Sequence, residues 1–221
     1  MKVPRSSADL PFADSLVPLR ESLEPDGDYD RAMISDISLT DARADNARFT
    51  ETVFTGVTFD GGNLRRSRLS DVWFGESRFI ATELAESTFI DTWLSGCVLA
   101  GLQAFSVNMR RAVFRNCKLD SVNFRESKLT EVVFEDCVLR DVDFGSAKLT
   151  RVRFPGCQLV GADFTRATCK EVDLRGARLG TDSAPGIKAG YDSLRGARID
   201  SAQLITLAPL LAHHLGITVA D

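Results

Sequence analysis

Residues 114–144 read FRNCKLDSVNFRESKLTEVVFEDCVLRDVDF, and every fifth residue of this stretch is Phe or Leu. An amphipathic helix needs an apolar residue at intervals of about 3.6, and a half-buried strand at intervals of about 2. A period of five fits neither element. The stretch therefore predicts an internal repeat of five residues.

The same frame extends outwards from Ile34 to Ile199 without an insertion in the sequence. Of its 34 central positions, 29 are Leu, Phe, Ile or Met, and 12 of the 14 phenylalanines of the chain fall on them. The remaining five central residues are still apolar: Ala44, Ala104, Cys169, Ala184 and Ala189. The repeat therefore predicts one continuous core along most of the chain.

The residue two places before each central residue is small or β-branched at 29 of the 34 positions. In an extended chain these two residues point to the same side. If the chain turns a corner every five residues, four segments close a square coil, and coils stack through parallel hydrogen bonds about 4.8 Å apart. The pattern therefore predicts a solenoid in which each coil contacts only its neighbours.

Finer periodicity supports coils of twenty residues, because identical residues recur at that spacing. The columns include Cys97, Cys117, Cys137 and Cys157, and also Phe114, Phe134 and Phe154. The cysteines occupy the small inward slot, where a free thiol behaves as a small hydrophobe. At Leu102 and Ala104 the large and small positions are exchanged, which predicts a volume-conserving swap inside one coil.

Four stretches carry a family resemblance: VNFRE (122–126), VDFGS (142–146), ADFTR (162–166) and VDLRG (172–176). They resemble the pentapeptide repeat family, whose loose consensus is A(D/N)LXX. The resemblance implies an all-β fold, a right-handed quadrilateral parallel β-helix of about eight coils. Within the family, the MfpA-like and Qnr-like members bind DNA gyrase and topoisomerase IV. MfpA-like members are the better comparison, because the unbroken frame leaves no room for long projecting loops.

The chain divides into three parts. Residues 1–30 are predicted to be an N-terminal cap or arm, 31–199 the β-helix with an irregular loop at 180–191, and 200–221 a C-terminal helix. Asp200 or Ser201 is a suitable N-cap and Gly216 a suitable C-cap, while Pro209 predicts a kink or a break into two helices. Four residues share one face of this helix and are the candidate dimerisation residues: Leu204, Leu207, Leu211 and Leu215.

Outward positions on one face form an apolar column that includes both tryptophans, Trp73 and Trp93. Beside it stand acidic residues Glu51, Asp71 and Asp91. An exposed apolar stripe usually marks a contact surface, and Trp is enriched at binding hot spots. These five residues are the candidate partner-binding residues. The alternative is that residues 1–30 cover the tryptophans.

No catalytic, cofactor-binding or metal-binding motif is present, so we expect no enzyme activity, cofactor or metal. The two histidines, His213 and His214, are adjacent on the terminal helix and point in different directions. No apolar run approaches the ~18 residues that span a membrane. Five cysteines without paired spacing favour free thiols in a reducing cytoplasm.

The net charge is −4, divided into −7 over residues 1–100 and +3 over residues 101–221. Direct binding of nucleic acid is disfavoured by this charge and by the lack of a continuous basic face in the sequence, since RRSR (65–68) is too short. The first functional hypothesis is a homodimeric DNA mimic that modulates gyrase or topoisomerase IV and relates to quinolone protection. The alternative is a general protein-interaction scaffold with an unrelated partner.

Overall fold

The computed structural model describes residues 4–19, 22–181 and 183–218. Its main body is a square β-solenoid of about 8 turns, followed by one C-terminal α-helix. The five-residue repeat therefore produces the fold predicted from the sequence. Asp182 in the predicted loop and residues 219–221 of the predicted C-terminal segment lie outside the described residues.

Short strands form the walls of the solenoid. The largest sheet contains Val17–Pro18, Asp28–Asp30, Ala32–Ser35, Arg48–Thr50, Val53–Thr55, Arg68–Gly75, Thr88–Ser95, Asn108–Arg115, Lys128–Thr130, Val133–Glu135, Lys148–Thr150 and Thr168–Lys170. A second sheet contains Ser38–Thr40, Thr58–Asp60, Arg78–Ile80, Val98–Ala100, Lys118–Asp120, Val138–Arg140, Gln158–Val160, Arg178–Thr181 and Ala184–Pro185. Ala162–Asp163 and Ile187–Ala189 form a third pair. Short 3₁₀ turns occupy Ser7–Asp9, Ala13–Ser15 and Tyr191–Leu194.

Strand pairing is parallel except at the hairpin near residue 180, and before the last coil each residue of the repeat region lies beside the residue twenty positions later. Phe114 pairs with Phe134, for example, and Leu119 with Leu139. The stacked rings of Phe114 and Phe134 are 4.7 Å apart between centroids. Columns of like side chains therefore fill a continuous core, as the twenty-residue periodicity predicts.

The corners of the square depend on backbone conformation. From Asp26 to Gly176, every fifth residue has a positive φ, and most of these residues are not glycine. Positive φ is uncommon for residues other than Gly, Asn and Asp. One left-handed residue per pentapeptide turns the chain at each corner, and the corner side chain points to solvent.

The small inward slot has a second role besides packing. Where it holds Ser, Thr or Cys, the side chain commonly donates a hydrogen bond to the carbonyl of a central residue one coil earlier. Ser67 Oγ donates to Ala44 O at 3.0 Å, Ser87 Oγ to Leu64 O at 3.0 Å, and Cys157 Sγ to Phe134 O at 3.1 Å. Because Ser, Thr and Cys side chains can all donate this hydrogen bond, each of them can occupy the inward slot.

The last coil contains a five-residue insertion that the unbroken sequence frame conceals. Gly180 and Thr181 form an antiparallel pair with Pro185 and Ala184, and Phe164 N then bonds to Ala189 O, 25 residues away. Because the insertion has the length of one repeat, it preserves the five-residue frame while the coil-to-coil spacing changes from twenty to 25 residues, as in the pairing of Asp173 with Arg198.

The C-terminal helix Ser201–His214 closes this end of the solenoid. Asp200 is its N-cap, and the Asp200 side chain accepts a hydrogen bond from Gln203 N at 2.9 Å. Of the kink or break predicted at Pro209, the break does not occur: one helix continues through Pro209, because the loss of one backbone hydrogen bond leaves the others of the helix in place. None of the described helices is long and apolar enough to cross a membrane.

Candidate protein-binding surfaces

The tryptophan column lies beneath the N-terminal segment. Trp73 and Trp93 are only 5% and 6% exposed. They form a separate apolar cluster with Leu10, Phe12 and Val53. This cluster lies outside the coil wall, so the segment packs on the solenoid as an external strap.

The strap runs along the solenoid axis and is held at both ends. Val17 N donates to Arg31 O at 2.8 Å near the first coil. Four coils further on, Arg115 Nη1 donates to Pro4 O at 3.2 Å. Residues 4–19 therefore extend over about 19 Å of the face.

The interpretation of Trp73 and Trp93 as an exposed partner-binding stripe is consequently wrong for this structure. The physical reason is that the apolar column is too large to leave in water, and the apolar residues of the strap cover it. The alternative interpretation, a cover supplied by the first thirty residues, agrees with the observed packing. A partner does not reach either indole while the strap is in place.

The acidic residues beside this column remain partly exposed. Glu51, Asp71 and Asp91 occupy the same corner of successive coils, each with a positive φ of 48–56°. Arg111 pairs with Asp91, its Nε donating to Asp91 Oδ1 at 2.6 Å. The row therefore presents its unneutralised charge at Glu51 and Asp71.

Asp71 in this acidic row has a perturbed pKa. Burial raises its pKa above the ordinary value, and the negative charges of Asp91 and Glu51 raise it further. Ionisation of Asp71 therefore opposes folding, so the fold retains this acid at a cost in stability.

The terminal helix presents one side to the last coil and another to solvent. Gln203 Nε2 donates to Leu174 O and Ala177 O, both at 2.6 Å, and Leu207 is 2% exposed. Leu204 and Ile205 are 51% and 75% exposed. The helix thus closes the core with one face and leaves an apolar face free.

The four leucines predicted for dimerisation do not share this free face. Leu207 is buried against the coil and Leu211 packs against the same core, so neither is available to a second chain. Leu204 and Leu215 are exposed and remain candidates, joined by Ile205. Apolar residues extend around more than one side of the helix, so their spacing does not show which side meets the coil.

The five cysteines are free and buried. Burial raises the pKa of the Cys169 thiol to about 11, which leaves it protonated at neutral pH. Across residues 4–19, 22–181 and 183–218, no cluster of three or more His, Cys, Asp or Glu side chains is arranged to hold a metal ion.

One charged surface was missed from the sequence. Six exposed cations lie on outward positions of a single wall, although the sequence scatters them across 123 residues: Arg48, Arg68, Arg110, Lys128, Lys148 and Lys170. The chain therefore has a basic wall that the sequence alone does not reveal, although the uncharged coil of Thr88 and Ile90 interrupts it. The signal was available, because the twenty-residue period that identified the tryptophan column also aligns these positions.

Comparison with known proteins identifies the repeat. A model described as a pentapeptide repeat region matches residues 107–181, and one described as pentapeptide repeats matches 44–88, together more than half of the chain. No curated protein sequence matches significantly.

Two solved structures align with this chain over most of its length. A trypsin-treated variant of QnrB1, a plasmid-mediated fluoroquinolone resistance protein, aligns with a TM-score of 0.58 at 20% identity, covering 90% of this chain and 98% of that one. HetL, a pentapeptide repeat protein involved in heterocyst differentiation regulation in the cyanobacterium Nostoc, aligns with a TM-score of 0.33 at 19% identity, covering 80% and 91%. On its repeats and its β-solenoid, the chain belongs to the pentapeptide repeat family.

Proposed function

We propose that the chain is a non-enzymatic protein-binding solenoid that acts as a DNA mimic on DNA gyrase or topoisomerase IV. The observation that carries this proposal is the acidic corner row on a stiff rod. Glu51 and Asp71 remain without an ion pair to any described cation, although Asp71 ionises at a cost in the fold. An acidic residue that is retained although its ionisation destabilises the fold is typical of a surface that binds a partner.

The dimensions agree with this role. About eight coils at ~4.8 Å per coil make a rod on the order of 40 Å long. The free apolar face of the terminal helix, with Leu204 and Ile205 in it, offers a second copy a place to bind. A dimer through these ends doubles the rod and brings it nearer to the length of DNA that a topoisomerase holds.

The alternative is a general scaffold with an unrelated partner. The pairing of Asp91 with Arg111 and of Glu131 with Arg151 favours it, because both pairs neutralise the acidic row beyond its first two members. The two functions share the same fold and differ in the partner alone.

A supercoiling assay tests the proposal. Full-length protein is titrated into gyrase and into topoisomerase IV, with and without a quinolone. We expect inhibition or drug protection at micromolar protein, weakened in the double variant Glu51→Gln/Asp71→Asn. The matched control is Asp36→Asn/Glu76→Gln, which removes the same charges from another positive-φ corner. No effect up to tens of micromolar of folded protein would eliminate these two enzymes as partners.

A further inference from the structure

One wall of the solenoid carries an outward cation on six of the seven coils from Arg48–Thr50 to Thr168–Lys170. Its outward positions form two columns on the strand triplets from Arg48–Thr50 to Thr168–Lys170. The first column is Arg48, Arg68, Thr88, Asn108, Lys128, Lys148 and Thr168, and the second is Thr50, Ser70, Ile90, Arg110, Thr130, Thr150 and Lys170. Six of these fourteen residues are basic and none is acidic. We call this wall the basic face.

The cations of the basic face are not neutralised within the chain. None of the six pairs with any described carboxylate, and all six are exposed. Asp28 and Asp30 precede the face on the first coil, where Asp30 pairs with Arg31. The positive charge of the face is therefore directed at solvent.

Like charges are also placed side by side. Arg48 lies in register with Arg68, and Lys128 with Lys148. Like charges directly opposite on neighbouring strands destabilise a sheet. At other positions opposite charges meet instead, since Arg111–Asp91, Arg115–Glu135 and Arg151–Glu131 are ion pairs between residues twenty positions apart. The basic face thus stacks like charges, as the acidic row does, and in the described ranges only its first cation, Arg48, also lies in register with a carboxylate, that of Asp28.

A groove lies at one end of the basic face. It has a volume of about 430 Å³, and Arg48, Arg66 and Arg68 line it together with Asp26 and Asp28. Arg66 Nε donates to Asn46 Oδ1 at 2.8 Å, which holds that guanidinium at the rim. The other two guanidinium groups have no hydrogen-bond partner among the described residues, so they are available to an anion.

The width of the basic face decides what kind of anion fits. Its two columns stand two residues apart on a strand, a separation of about 7 Å, and extend over about 29 Å. Three carboxylates without an ion pair in the described part of the chain, Glu51, Asp71 and Glu171, follow it at one corner, whereas the other corner carries Glu126 together with Arg66 and Arg166. A nucleic-acid duplex, with grooves about 12 and 6 Å wide, would bring its phosphates onto these flanking carboxylates.

An acidic polypeptide segment fits the strip better. An α-helix with one carboxylate per turn repeats at about 5.4 Å, close to the coil spacing of ~4.8 Å. About 20 residues of such a helix match the length of the basic face. Threonine hydroxyls between the cations supply further donors. We propose that the basic face binds an acidic polypeptide segment of a partner protein. This surface is separate from the acidic row, and the proposal does not rest on topoisomerase binding.

Fluorescence anisotropy with labelled poly-L-glutamate tests the proposal on the full-length protein. The test variants are Arg48→Thr/Arg68→Thr and Lys128→Thr/Lys148→Thr, since Thr88 and Thr168 already occupy this column. Either variant should weaken low-salt binding by about tenfold. The matched control, Arg78→Thr/Lys118→Thr, removes the same charge from an exposed column that already contains Thr58, and should leave affinity within about twofold.

Three results would overturn the proposal. The first is no saturable binding of poly-L-glutamate by the folded wild-type protein. The second is an equal loss of affinity in the Arg78→Thr/Lys118→Thr control, which would show that only net charge matters. The third is tighter, Lys128-dependent binding of a 20-base-pair duplex, which would assign the face to nucleic acid. Thermal melts of each variant establish that it is folded.

Discussion

At the scale of single residues, the inward slot shows how one position serves two purposes. Thr52 is fully buried, and its Oγ1 donates to Tyr29 O at 3.1 Å or to Thr50 O at 3.0 Å. Thr92 occupies the same slot two coils later, is equally buried, and its Oγ1 has no partner among the described residues. A buried hydroxyl without a partner costs free energy, whereas a bonded one does not.

Thr92→Val is therefore expected to raise the free energy of unfolding by about 1 kcal/mol, because it removes an unsatisfied hydroxyl while preserving side-chain volume. Thr52→Val, the matched control, should lower it by about 1 kcal/mol, because it breaks a satisfied bond. Urea denaturation measures both. Equal effects of the two substitutions would show that hydrogen bonding does not distinguish these positions.

Asp71 gives a second prediction at this scale. Its folded pKa is raised, so the folded state binds the proton more tightly than the unfolded state, and stability falls as pH rises through that pKa. Asp71→Asn should then stabilise the protein at pH 7.5, and the gain should shrink as the pH approaches about 4. Because Asn also suits a positive φ, a gain independent of pH would reflect backbone preference and contradict the electrostatic explanation.

At the scale of elements, the strap over the tryptophans is a unit distinct from the solenoid core. Its cluster of Leu10, Phe12, Trp73 and Trp93 is separate from the main core cluster. Loss of its contacts should expose the indoles without unfolding the coils, since each coil is stabilised by its neighbours.

The double variant Leu10→Ser/Phe12→Ser should accordingly shift tryptophan emission to longer wavelength and increase acrylamide quenching, with little change in the melting of the β-structure. Leu23→Ser is the control, because Leu23 belongs to the main core. It should lower the melting temperature and leave the emission of the folded state unchanged. Unaltered emission in the double variant would contradict the assignment of residues 10–12 as the cover.

Prediction from sequence succeeded for elements that share the repeat. The central Phe and Leu residues follow one period from Ile34 onward, so their burial is readable without a structure. The strap does not follow the five-residue period. Its contact with the tryptophan column cannot be read from that period, because it depends on packing between segments distant in the sequence. The sequence predicts an irregular loop at 180–191, which contains the hairpin Gly180–Pro185. It does not show the change of register, because the insertion has the length of one repeat.

At the scale of the whole molecule, the two ends differ. The strap packs on one face of the first coils, whereas a helix closes the last coil. The outer face of this helix, with Leu204, Ile205 and Leu215, is exposed. Helical periodicity predicts the helix but assigns Leu207 and Leu211 to the wrong contact, because it does not show which side meets the coil. The basic face was hidden for a similar reason, since its members become neighbours only after the chain is coiled.

The free helix face predicts a homodimer. Ile205→Asp should convert a dimer to a monomer in sedimentation velocity, because an ionised carboxylate in an apolar interface is strongly unfavourable. Thr206→Asp places the same charge on the adjacent exposed position, away from Leu204 and Leu215, and should preserve the dimer. A monomeric wild-type protein at tens of micromolar would contradict this prediction.

The central claim is that the rod binds a topoisomerase through its acidic row, and a competition binding measurement tests it most directly. The wild-type protein is immobilised, and gyrase and topoisomerase IV holoenzymes are passed over it with increasing duplex DNA. The account predicts saturable micromolar binding that DNA displaces and that Glu51→Gln/Asp71→Asn weakens, while Asp36→Asn/Glu76→Gln does not. Binding that DNA fails to displace, or no binding by the folded protein, would contradict the mimic and assign the rod to a different partner.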